Sequence, residues 1–146
     1  MLKEIERVVR HMTDSGPRHD PVSVPAGESA RDRRELLTSY YALVDAGDID
    51  GLVTLFADDI RYERPGQETI EGIDELRRFY ERGRPLEDGS HELSRILVED
   101  TSAAVRGTFS GRLDGDPVSF GFADHHEFDA DGLITERYTF TDRDSV

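Results

Sequence analysis

Cysteine is absent from this chain of 146 residues, which excludes disulfides, zinc–thiolate sites and iron–sulfur clusters and leaves thiols silent on redox compartment. Lysine is nearly absent: Lys3 stands alone against 17 arginines, a bias that points to a GC-rich, bacterial genome. Positive charge as a whole is scarce, 18 basic residues against 32 acidic ones, giving a net charge of −14. Such a field repels nucleic acid and anionic membrane surfaces, so neither is an expected partner. No apolar run approaches the roughly 18 residues of a membrane span, and charges stand where a signal peptide would carry its apolar core, so the cytoplasm is the expected location. Several catalytic motifs are missing too. There is no G-x-S-x-G, no phosphate loop and no dinucleotide glycine fingerprint. His125-His126 lacks the spacing of an H-E-x-x-H helix and has no evident third ligand, so neither metal nor cofactor is expected. The acid runs Asp45 to Asp50 and Asp58-Asp59 read as helix caps and solvated surface.

What is present suits one domain with one pocket: 36% hydrophobic residues over this length bury a single core. Leu2, Ile5, Val9 and Met12 form a helical stripe, and Gly16, Pro17, Pro21, Pro25 and Gly27 then break the pattern. Residues 1–28 therefore read as an N-terminal helix and linker, and 29–146 as the domain. Ser29 followed by Asp32 resembles a capping box, and the helix it opens carries Leu37, Tyr40, Tyr41 and Val44 on one face until Gly47. Asp48 caps a second helix with Leu52, Leu55 and Phe56 inward. A short strand spans 60–64, cut by Pro65-Gly66, and a third helix spans 72–83 with Ile73, Leu76, Phe79 and Tyr80 at helical spacing.

From His91 the period changes to two, and strands are expected over 91–98, 102–113, 118–128 and 133–141, with turns at Asp114-Gly115-Asp116-Pro117 and Asp129-Ala130-Asp131-Gly132. Helices first and a curved antiparallel sheet after them is an α+β order. On the third of those strands Phe120, Phe122, Asp124, His126 and Phe128 share one face, three rings around a carboxyl and an imidazole, as in a pocket wall.

The stretch DAGDIDGLVTLFADD (Asp45 to Asp59), with Tyr40 before it and Tyr62-Glu63-Arg64-Pro65 after it, resembles the opening of the ketosteroid isomerases. These are the enzyme branch of the nuclear transport factor 2-like superfamily, whose cone-shaped, cystatin-like α+β barrel wraps a curved sheet around helices. The likeness covers roughly Glu35 to Thr141, without a gap from about Val98 to Phe128. It implies oxyanion-hole roles for Tyr40 and Asp124, while Arg64 occupies the place of the catalytic aspartate. An arginine cannot abstract a proton near neutral pH, so Arg64 is either an anion or carbonyl clamp, a partner for Asp124, or a solvent-facing strand end. Glu63, one step along the strand, faces the other way.

Burial among phenylalanines would raise the pKa of Asp124 and keep it neutral as a hydrogen-bond donor; the alternative is an aspartate paired with arginine. His126 replaces an apolar wall residue and could couple with Asp124, and His91 could add a second imidazole. One or two histidines beside a carboxyl resemble the scytalone dehydratases and polyketide cyclases of the same superfamily more than the isomerases. Expected wall residues are His91, Phe56, Phe79, Phe109, Phe122, Arg137 and Thr139, although a slip of one in the last strand would turn Glu136 and Tyr138 inward instead. Gly107 and Gly111 either widen the cavity or bend the sheet. The resemblance implies a homodimer through the outer sheet face, where Ile134, Tyr138 and Phe140 would lie.

The expected function is a cofactor-free enzyme of the polyketide-cyclase or dehydratase type, acting by acid/base chemistry on a small apolar carbonyl-bearing metabolite. Tyr40 and Asp124 polarise the carbonyl, His126 moves the proton and Arg64 clamps an oxygen. A steroid-type Δ-isomerase with a relocated base and a non-catalytic binding or association module are the alternatives.

Overall fold

A computed structural model of the protein describes residues 26–143. The helix expected over 1–12 and nearly all of the linker lie outside these residues. Helix α1 (Ala26–Ala46) begins three residues ahead of the Ser29–Asp32 pattern. It ends in a Schellman motif: Gly47, at φ 71°, donates its N–H to Val44 O, and Asp48 N–H reaches Leu43 O. Asp48 then caps α2 (Ile49–Val53), its carboxylate accepting from Gly51 N–H at 3.0 Å.

Strands β1 (Phe56–Glu63) and β2 (Ile70–Glu71) come next, then α3 (Ile73–Arg78), which continues as a π-helical turn over Phe79–Gly83. Four long strands complete the chain: β3 (Leu86–Glu99), β4 (Ser102–Leu113), β5 (Asp116–Phe128) and β6 (Ile134–Thr141). Phe56, expected to end a helix, instead opens β1. Asp114 and Gly115, both at positive φ, form the two-residue turn between β4 and β5, the chemistry a tight hairpin asks for.

The sheet is six-stranded in the order β2-β1-β6-β5-β4-β3. It is open, not closed into a barrel, and one of its pairs, β1 with β6, is parallel. Register shifts in β3 and between Glu127 and Phe128 bend it, as bulges do. Its concave face receives α1, whose Leu36, Leu37, Tyr40, Tyr41 and Leu43 join Val105, Phe109 and Phe122 in one core. Arg33 and Arg34 tether the helix to the carbonyls of Asp100 and Ile96.

The bulge before Phe128 corrects one expectation. Ile134 pairs with Phe128 and is fully buried, so it takes no part in the outer face; Tyr138 is half-buried there and Phe140 is 61% exposed. The glycines of β4 do not widen a cavity. A Cβ on Gly107 would stand 2.4 Å from the Glu92 carbonyl oxygen, and one on Gly111 would meet the Glu87 carbonyl and the Phe109 ring at 2.7 Å. These glycines allow β3 and the phenylalanines to close in.

Candidate active site

Pairing across the sheet decides which side chains meet under α1. Tyr62 stands opposite Arg137, and Asp124 opposite Thr139, so the period of two brings all four to the concave face with Arg64 two residues beyond Tyr62. Arg137 and Thr139 are thus the inward pair of the last strand, and Glu136 and Tyr138 are not.

The Asp124 carboxylate is 2% exposed and fully engaged. Oδ2 accepts from the Tyr41 hydroxyl and from Arg137 Nη2 at 2.9 Å, and Oδ1 accepts from Thr139 Oγ1 at 2.6 Å. Because Thr139 spends its only hydroxyl proton on Asp124, its oxygen accepts from the Tyr62 hydroxyl at 2.8 Å. Tyr62 in turn accepts from Arg64 Nη1 at 2.8 Å. The result is a directed chain, Arg64 to Tyr62 to Thr139 to Asp124.

Burial raises the Asp124 pKa, but Arg137 beside it, helped by the Thr139 and Tyr41 hydroxyls, outweighs burial and holds the group below the usual carboxylate range. This corrects the expectation of a neutral, proton-donating Asp124. The group is an anion that accepts every hydrogen bond offered, and its partner is Arg137, not Arg64.

Arg137 packs its guanidinium against the rings of Tyr40 and Tyr62, at 4.1 and 4.9 Å from their centroids. Arg64 points inward and lies 4.8 Å over Phe79. For Tyr62, burial pushes the phenol pKa up, yet Arg137 and Arg64 bring it below its ordinary value. Tyr40 is the opposite case: burial drives it well up, and its hydroxyl bonds that of Tyr80 from the π-helical turn.

A second element faces this group. His91, on β3, is held by one carboxylate of α1: Asp45 accepts from the His91 backbone N–H at 2.9 Å and from ring Nδ1 at 2.6 Å. A carboxylate partner fixes the proton on Nδ1 and leaves the lone pair on Nε2, which no described residue bonds. The ring packs on Tyr41, Phe109 and Phe122. Tyr41 thereby links the two elements, its ring on His91 and its hydroxyl on Asp124.

These groups line a half-open chamber of about 20 Å³, room for one water. Tyr40, Arg64, His91, Phe109, Phe122, Asp124, Arg137 and Thr139 line it, as do Tyr62, Arg84, Leu86 and Phe120. Phe56 and Phe79 stand behind the wall, packed on Tyr40 and Tyr62. His126 does not reach the chamber. It is 0% exposed, burial and the Arg137 charge lower its pKa to about 3, and neither ring nitrogen has a partner among the described residues. Asp124 and His126 feel each other's charge, but no hydrogen bond joins them, and His126 is a neutral core residue. Among the described residues no three His, Asp or Glu side chains gather as metal ligands.

The chain belongs to the SnoaL-like domain family, whose profile matches residues 37–137, from the middle of α1 to the middle of β6. Solved structures share the fold. One is the epoxide hydrolase/cyclase-like enzyme SalBIII of pyran ring formation in the polyether salinomycin, with 20% identity over 76% of this chain and 91% of that one and a TM-score of 0.67. Another, from Jannaschia sp. CCS1, is described as a SnoaL-like polyketide cyclase (18% identity, 82% and 90% covered, TM-score 0.69). A third is a nuclear transport factor 2-like protein of unknown function from Exiguobacterium sp. 255-15 (25% identity, 73% and 98% covered, TM-score 0.65).

Proposed function

We propose that this SnoaL-like protein is a cofactor-free enzyme of the polyketide-cyclase or dehydratase type, acting by acid/base chemistry on a carbonyl-bearing metabolite of secondary metabolism. The observation that carries this reading is the Asp45–His91 pair on one side of a chamber whose other side holds Tyr62, Arg64 and Arg137. His91 Nε2 takes a proton from the carbon next to the substrate carbonyl. The enolate oxygen that forms is received by the desolvated Arg64 guanidinium, which Tyr62 holds in place by accepting one of its N–H groups. The enolate carbon then adds to a second carbonyl, or expels a β-hydroxyl as water, and the imidazolium returns its proton to the departing or newly formed oxygen. Asp45 holds the tautomer and offsets the imidazolium charge. Asp124, saturated with donors, orients Arg137 and Thr139.

Exchange of α-protons in deuterated water, monitored by NMR on a panel of aryl ketones, tests this. Wild type should exchange faster than buffer, His91→Ala should lose roughly 10²-fold or more, and Asp45→Asn should fall between them. A wild type no faster than buffer would shift the reading to a non-catalytic binding module, which the small size of the chamber favours.

A further inference from the structure

Outside the inner chamber lies a groove of about 360 Å³, with Leu43, Val44, Ile49 and Leu52 as an apolar wall. The groove and the chamber share two lining residues, Arg84 and Leu86, so Arg84 stands on the partition between them. Its guanidinium lies 5.6 Å over the Phe109 ring, which faces the chamber. Its Nε is buried without a hydrogen-bond partner, and among the described residues no carboxylate pairs with it. Glu81 and Glu87 border the groove yet do not reach it.

In a chain whose acidic residues outnumber its basic ones by 14, an arginine at a cavity wall with no carboxylate beside it is suited to an anion from outside. Arg61, Arg77, Arg112 and Arg137 have carboxylate partners within the chain; of the other described arginines, Arg84 is the one that lines both cavities. A guanidinium fork matches a carboxylate with two parallel hydrogen bonds, and partial desolvation strengthens them.

We infer that Arg84 anchors a carboxylate on the ligand, and that the ligand is an amphipathic keto acid. Its apolar body lies against Leu43, Val44, Ile49 and Leu52, and its ketone enters the inner chamber. Drawn onto the carboxylate, Arg84 leaves Phe109, and the partition that confines the chamber opens. The place of the ketone rests on the enzyme reading above; the carboxylate rests on Arg84 alone.

The test is calorimetric binding of 4-oxo-4-phenylbutanoate and of its uncharged amide to the full chain. Wild type should hold the acid at least about tenfold more tightly than the amide. Arg84→Gln should bring the two within about twofold while leaving the amide unchanged, and Arg84→Lys should restore part of the difference. Arg61→Gln, on exposed β1 surface and in the wall of neither cavity, should keep the full preference. The inference is overturned if wild type binds both probes alike or neither, if the preference survives Arg84→Gln, or if Arg61→Gln erases it equally. An acid preference that depends on Arg84, without His91-dependent proton exchange, would retain the anchor and discard the enzyme. Exchange without the preference would do the reverse.

Discussion

His126 offers a sharp test because its burial is complete and its nitrogens are unbonded. An unfolded histidine takes up a proton near its ordinary value of 6.5, whereas this one resists until about pH 3. Between those values the unfolded chain holds a proton the native one lacks, so stability rises with pH. The contribution is fully present above about pH 6.5 and is lost as pH falls, at about 1.4 kcal/mol for each unit of pH, or about 5 kcal/mol over the whole window. His126→Leu removes this dependence. It also removes two unsatisfied polar atoms, which should raise stability at neutral pH by about 1–2 kcal/mol. Urea unfolding from about pH 7.5 to about pH 4.5 reads the difference between variant and wild type, which should widen by about 3 kcal/mol toward the acid end. Asp124, held below the usual carboxylate range, titrates beneath that window and does not confuse it. A variant with the wild-type pH slope would refute the buried neutral imidazole. Loss of proton exchange on roughly the 10²-fold scale would return His126 to the catalytic role expected from sequence.

Asp124→Asn leaves the Arg137 guanidinium buried without its anion and should cost about 3–5 kcal/mol, read as a lowered urea midpoint; an unchanged midpoint would show that the pair is not buried as described. Gly107→Ala drives a Cβ against the Glu92 carbonyl oxygen and should destabilise by about 1–3 kcal/mol, with a stabilised variant contradicting the close approach of β3 and β4. For the homodimer that the resemblance implies, Phe140→Asp puts a charge at the most exposed large apolar side chain among the described residues and should give a monomer in sedimentation equilibrium. A dimer that persists would move the interface elsewhere.

The α+β order, the long strands and the inward parity of β5 were legible in the sequence because alternation in a half-buried strand is a physical record of its two faces. Parity says inward, however, and not how far inward. Asp124 and His126 share a face, yet the first meets the chamber and the second lies in the core. The charge of Asp124 depends on Arg137, which faces it only through the β5–β6 register, and that register turns on a bulge with no clear sequence signal. Tyr62 was within reach, since it precedes Arg64 by two on a strand. Asp45 was not: it sits in an acid run that resembles an ordinary helix end, and its partner His91 is 46 residues away. Nor did any pattern mark Arg84, whose significance lies in its place on the wall shared by groove and chamber.

The π-helical turn over Phe79–Gly83 has an evolutionary consequence. Such a turn is the form an α-helix takes when it gains one residue, and a gained residue rotates the downstream chain by about 100°. Here it lets Tyr80 meet Tyr40 and sets Arg84 directly after the turn, with β3 beginning two residues later at Leu86. Insertion or deletion of a single codon in this turn would therefore recast the aromatic and cationic side of the site and leave the sheet untouched. Related chains could change substrates by this route more readily than by altering the strands.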